Sequence, residues 1–247
     1  MSGKRLDRCA YSLGGVVSAD YIDLHPTKIV DFPGVRGNPA SWGWVGPWVG
    51  HGVLGSATIR PMGIALLWQG VDGPALELAN AEVRNTTLTA RGAWVRAEPE
   101  PYSLSYTLET TPGFVTKALR VSAWGSSWSR SLDLRREDGG AWFAEPGGDL
   151  TEVAGAVDCD LGYSCLTNTM PVLRHGLLAG GGPVDLVMAW VSVPDLQVQA
   201  SSERYTHVAR RPGGGAVVRY ESGRFRADIE FDASGFVVEY PQLGRRV

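Results

Sequence analysis

The chain has 247 residues, 44% hydrophobic and 20% charged, which suits one ordinary domain with a buried core, or one domain plus an extension. A formal net charge of −3 and a pI near 5.8 exclude a whole-protein field that attracts nucleic acid, and no Lys/Arg stripe argues otherwise. Three cysteines, Cys9, Cys159 and Cys165, exclude a disulfide framework and leave open only a Cys159–Cys165 pair.

Residues 1–61 carry ten glycines, five prolines and no glutamate, with neither helical nor strand periodicity. They read as a low-order extension, and Met62, just before the first convincing strand, is the expected start of the protein proper. Trp42, Trp44 and Trp48 leave a second reading, a membrane-interface or ligand-stacking loop. The first fifteen residues are basic but lack the apolar stretch of a signal peptide, and no run approaches the roughly 20 apolar residues of a membrane-spanning helix. The expectation is a reduced, cytoplasmic protein.

From Gly63 onward the pattern has period two. In Tyr102 to Glu109 and in Phe225 to Asp232, apolar and polar side chains alternate, as in half-buried antiparallel strands. Further strands are expected at Ile64 to Trp68, Leu76 to Val83, Thr87 to Val95, Phe114 to Ala123, Ser131 to Leu134 and Val184 to Val193. Four more short ones follow, at Arg204 to Val208, Val217 to Tyr220 and Phe236 to Tyr240, with Asp158 and Asp160 on another. Gly-rich turns separate them, and Asn85-Thr86-Thr87, although a glycosylation sequon, reads as a turn. The near-continuous apolar run Val184 to Val191 predicts a central strand buried on both faces. No segment carries a sustained helical stripe. Many short strands without βαβ alternation predict an all-β, mostly antiparallel barrel, half-barrel or sandwich.

Enzyme motifs are scarce. The chain has no phosphate loop, no dinucleotide glycine fingerprint, and no H-E-x-x-H or C-x-x-C spacing for zinc. Gly162-Tyr163-Ser164-Cys165-Leu166 fails as a nucleophile elbow because Leu166 stands where the turn needs glycine. Asp158 and Asp160 share one strand face. They suit a general acid/base pair or a hard-cation site, or they brace the following loop by accepting its hydrogen bonds. Thr167, Asn168 and Thr169 form a polar loop able to pin the backbone or to meet ligand hydroxyls, with Pro171 expected to keep Met170 extended. Arg174 offers a planar donor fork to a ligand carboxylate or phosphate, or pairs with Asp158 or Asp160. His175 is a further candidate for chemistry with the two aspartates.

The run Asp158-Cys159-Asp160-Leu161, then Thr167 to Pro171, then Arg174, resembles the signature of the bacterial putative glycolipid-binding family, formerly a domain of unknown function. Trp68 with Gly73, Arg204-Tyr205, Asp232 with Gly235, Tyr240-Pro241 and Arg245-Arg246 are similar to other parts of it, so the resemblance spans about residues 63–247. Ala156, Cys159, Leu173 and His175 depart from the family pattern. The resemblance implies a barrel-like fold similar to bacterial lipoprotein carriers, with an apolar cavity for an acyl chain. It further implies a non-catalytic lipid or glycolipid binder that needs no cofactor and no metal. Its motif residues would be Asp158, Asp160, Thr167, Asn168, Thr169, Arg174, Tyr205 and Tyr240, serving the ligand or the fold. The competing reading is a small-molecule enzyme, a barrel hydrolase or cyclase using Asp158, Asp160 and His175.

Overall fold

The computed structural model describes residues 63–247; the expected low-order extension, its tryptophans and the expected start at Met62 lie outside the described residues. The first half of the described chain is a meander. It runs through β1 (Ile64–Gly70), β2 (Ala75–Arg84), β3 (Thr87–Arg96), β4 (Tyr102–Thr111), β5 (Val115–Gly125), β6 (Ser129–Arg136), β7 (Trp142–Glu145) and β8 (Gly148–Asp149). The second half comprises β9 (Asp158–Leu161), a short helix α1 (Thr169–Arg174), β10 (Val184–Val191), β11 (Val198–Arg210), β12 (Ala216–Ser222), β13 (Phe225–Phe231), β14 (Val237–Tyr240) and β15 (Gly244–Arg246). Hairpin turns dictate this order. Asn85, for example, takes the left-handed conformation (φ 53°) in the two-residue link between β2 and β3, as the turn reading expects.

All 15 strands join one sheet, in the order β8-β7-β6-β5-β4-β3-β2-β1-β15-β14-β13-β12-β11-β10-β9. β15 lies beside β1, so the two ends of the described chain meet in the middle of the sheet. Every pairing is antiparallel except β9 with β10. A parallel pair needs a long crossover, and residues 162–183, containing α1, supply it.

The sheet curls but does not close, which corrects the barrel expectation. Its terminal strands are β8 and β9, and these do not pair with each other. The β9 end instead docks on β5. Thr116 donates its backbone N–H to the Val157 carbonyl (3.2 Å), and its Oγ1 accepts the Cys159 N–H (2.9 Å). This docking, by one main-chain and one side-chain hydrogen bond, covers the edge where strand pairing would have sealed a barrel.

The sheet's inner face is filled. Leu66, Trp68, Leu104, Leu134, Val218 and Phe231 project inward from it. Against them pack Leu166, Met170, Val172 and Leu177 of the crossover, all fully buried in the same core cluster. The space expected to hold an acyl chain inside the sheet is thus occupied by the protein's own segment. Trp68 ties two distant strands by donating its indole N–H to the Val237 carbonyl (2.9 Å).

Two local expectations are corrected. Thr169 to Arg174 is helical, so Met170 is not extended; Pro171 falls in the first turn, where its missing N–H has no intrahelical partner to lose. β10 is second from the edge and not central. Asp185 and Val187 are exposed, and only its second half, Met188, Ala189 and Val191, is fully buried. Cys159 and Cys165 are both buried and free.

Candidate functional site

The crossover is held by a carboxylate. β2 reads Leu76-Glu77-Leu78, and alternation by hydropathy would turn the leucines inward. The structure has the opposite phase: Glu77 is buried, while Leu76 and Leu78 are 44% and 46% exposed. Glu77 Oε1 accepts from Ser164 Oγ (2.6 Å) and the Tyr106 hydroxyl (2.8 Å), and Oε2 accepts the Cys165 N–H (2.9 Å). Burial raises its pKa, and these donors pull it back.

The signature residues assemble immediately beyond. Asp158, fully buried, takes both arms of the Arg174 guanidinium, which also donates to the Phe114 carbonyl (3.3 Å). Burial pushes the Asp158 carboxyl up and Arg174 offsets part of that push. Of the two expected partners for Arg174, the structure thus chooses Asp158. Asp160 accepts from Thr167 Oγ1 (2.7 Å) on one oxygen. Asn168 donates to the Ser164 carbonyl (3.4 Å) and accepts the Tyr205 hydroxyl (3.0 Å). Thr167, Asn168 and Thr169 are all buried, and Thr169 Oγ1 has no partner among the described residues. Thr167 and Thr169 therefore face the protein interior, while Asn168 also reaches a neighbouring cleft. His175 sits beside Arg174, which donates to its ring at 3.3 Å.

Beside this assembly opens a cleft of about 360 Å³. Asp160, Asn168, Trp190, Tyr220, Phe225 and Tyr240 line it, with Ser201 and Ser222. Asp158, Arg174, His175 and Tyr205 are not among its lining residues. Tyr220 stands edge-on to Tyr205, Phe225 and Tyr240, with ring centres 5.3, 5.9 and 6.1 Å away, which fixes the aromatic wall.

Glu203 lies next to this wall, on the inward face of β11 with Ser201 and Tyr205. Burial, then the charge of Asp160, raises its pKa from 4.5 to about 9. Its hydrogen bonds agree. The Tyr205 oxygen lies 3.0 Å from Asn168 Oδ1 and 3.2 Å from Glu203 Oε2, but a hydroxyl has one proton to give. If Tyr205 donates to the amide oxygen, only a protonated Glu203 avoids an acceptor–acceptor clash. Glu203 Oε1 is buried without a partner. Asp160 rises from 3.8 to about 6 by burial.

A second depression, an apolar groove of about 880 Å³, lies on the outer face among Leu76, Val95, Pro101, Tyr102 and Trp124. A small pocket of about 30 Å³ shares Tyr163 and Leu243 with the cleft and Ala75, Leu76 and Arg96 with the groove. Tyr163 has a left-handed backbone (φ 66°), and the Arg96 guanidinium lies 4.5 Å from its ring centre.

The family model described as "Putative glycolipid-binding" matches residues 65–246. The chain belongs to this family. The crystal structure of a DUF1089 family protein from Pseudomonas aeruginosa shares the fold, at a TM-score of 0.58 and 23% identity, over 73% of this chain and 95% of that one. No curated protein matches the sequence.

Within this family's fold, the signature from Asp158 to Arg174 builds the crossover and one wall of the cleft. Sequence reasoning missed Glu77 and Glu203, the two most buried glutamates described. Glu77 was hidden by the leucines flanking it, and Glu203 by its place in a polar stretch, Ser201 to Arg204. Among the described residues, no group of three or more His, Cys, Asp or Glu is placed to hold a metal ion. No described helix is long and apolar enough to cross a membrane.

Proposed function

We propose that the chain binds an amphiphile, a lipid or glycolipid, without chemistry, seating the head group in the Asp160 cleft and the chain along the outer groove. The observation that carries this reading is the neighbourhood of the two depressions: the polar, aromatic-walled cleft and the apolar groove each share lining residues with the small pocket at the Tyr163–Arg96 contact. Aromatic faces, hydroxyls and an amide suit a sugar or other polar head, while Val95 and Trp124 suit methylenes. Family membership supports the same reading. Solvent extraction of the purified protein, followed by mass spectrometry, should return a co-purifying amphiphile, and the stripped protein should bind a fluorescent fatty acid or glycolipid. Stripped, folded protein that binds neither would overturn the proposal.

A second reading has one observation in its favour. Asp160 and Glu203 hold their protons to about pH 6 and 9, a split around neutrality of the kind acid/base pairs use. It differs from the expected trio, because Asp158 is committed to Arg174; of its own pair, Asp160 lines the cleft and Glu203 lies behind the lining. Turnover of a panel of glycosides or esters, abolished by Asp160→Asn in a protein of unchanged stability, would establish it.

A further inference from the structure

The cleft has a charge character as well as a shape. None of its lining residues is Lys, Arg or His. One oxygen of Asp160 is occupied by Thr167; the other takes no hydrogen bond from any described residue. Glu203 adds a second carboxyl next to the lining residues Asp160, Ser201 and Tyr220, and its Oε1 is buried and unpartnered. An acceptor left dry inside a protein costs free energy until a donor reaches it.

Arg96, over the ring of the lining residue Tyr163, is paired with Asp72. On β9, Asp158 adds a further negative charge, and Arg174 of α1 is spent on Asp158. His175 stands with Arg174. From β12 and the end of β14 come only the hydroxyls of Tyr220 and Tyr240, both with pKa values driven upward by burial and by these same carboxyls. No described cation bears on Asp160 or Glu203.

Five aromatic side chains, Tyr163, Trp190, Tyr220, Phe225 and Tyr240, complete the walls. Their π faces attract organic cations but offer nothing to a hard metal ion, which needs six or more oxygens. A phosphate or carboxylate head would meet acceptors and no basic donor. We propose that the cleft selects amphiphiles whose head group carries an ammonium group, as in an amino sugar or a free amine, over neutral and anionic heads. This inference rests on the amphiphile-binding reading above and adds the charge of the head. The ammonium donates to the open oxygen of Asp160 and lies against the aromatic wall.

Three probes with one twelve-carbon chain test it: dodecylamine, dodecyl glucoside and dodecyl phosphate, each below its micellar concentration. They are titrated into the stripped full-length chain at pH 7 by calorimetry. The amine should bind about tenfold or more tighter than the glucoside, with the phosphate weakest. Its binding should release protons, seen as heats that change with the buffer. Asp160→Asn should bring the amine down to the level at which the same variant binds the glucoside. Wild-type protein that binds the glucoside or the phosphate as tightly as the amine overturns the charge selection and leaves the amphiphile reading standing. If none of the three binds, the amphiphile reading fails and this inference with it. The wild-type comparison decides the matter even if the variant does not fold.

Discussion

Tyr106 on β4 reaches Glu77 on β2 across the whole width of β3, and it does so over Gly92. Gly92 is the cross-strand partner of both Ala79 and Tyr106, and a Cβ placed on it would lie 2.3 Å from the Tyr106 ring. The missing side chain is therefore a passage for a phenol. At its far end Glu77 holds Ser164 and Cys165, so a glycine in one strand positions the crossover that walls the cleft.

Gly92→Ala should force the ring aside and destabilise the protein by about 1–3 kcal/mol, the usual cost of overpacking. Tyr106→Phe keeps the ring and removes one donor from a buried carboxyl, at a cost of about 1–3 kcal/mol. Urea unfolding measures both. The double variant should cost less than the sum, because both changes act on one contact. Full additivity would mean that the ring does not need the gap.

Arg174 is predicted to serve the fold and not an anion. Its guanidinium is largely covered and engaged with the buried Asp158, the Phe114 carbonyl and the His175 ring. Arg174→Ala strands that charge and should cost about 3–5 kcal/mol, whereas replacing both partners, as in Asp158→Leu with Arg174→Met, should recover most of the loss. Ligand affinity per folded molecule should stay the same in the double variant. A stable double variant that no longer binds would return Arg174 to the site.

Strand positions were legible in the sequence because alternation reports them directly. β4 buries the side chains its pattern predicts, and β13 buries Ala227, Ile229 and Phe231 but leaves Phe225 exposed. Less legible was anything set by a partner distant in sequence. Hydropathy places Leu76 and Leu78 inward, yet Ser164 and Cys165, some 87 residues on, supply the donors that make burying Glu77 tolerable. Barrel closure could not be read either, since it depends on whether β8 and β9 find each other's edges. Asp158 and Asp160 were recognised as a pair on one strand, but their different fates follow from Arg174 and Thr167, which a helical turn brings to one each. Pro171 misled because its preference for an extended predecessor yields in the first turn of a helix.

Stability should fall as pH rises from about 5 to 9. Folded protein keeps the Glu203 proton up to about pH 9, while the unfolded chain releases it near 4.5. Between those values the folded state binds more protons, so each rise in pH favours unfolding. Asp160, raised from 3.8 to about 6, acts in the same direction at the acid end of the window. Asp185 and Asp228 shift downward through Arg204 and Arg219, but these pairs are solvent-exposed and weigh little. Urea midpoints at pH 5, 7 and 9 should drop by an amount equivalent to roughly 2–4 kcal/mol overall. Glu203→Gln mimics the protonated acid and should flatten the profile, leaving the variant the more stable protein at pH 9. A flat wild-type profile would mean that Glu203 is ionised in the fold.

The groove separates chain recognition from head recognition. Val95 and Trp124 are 53% and 46% exposed, on the face opposite the core, so Val95→Ser and Trp124→Ser should change stability by less than about 0.5 kcal/mol. For a series of alkyl ligands with one head group, wild-type affinity should rise with each methylene that the groove covers, up to about 0.8 kcal/mol per CH₂. Double substitution should lower that slope and leave the shortest ligand unaffected, because its head still meets Asp160 and the tyrosines. Calorimetry across chains of six to twelve carbons measures both quantities. An unchanged slope would place the chain elsewhere on the protein; a loss that is equal at every length would mean that the groove supports the cleft and does not hold the chain.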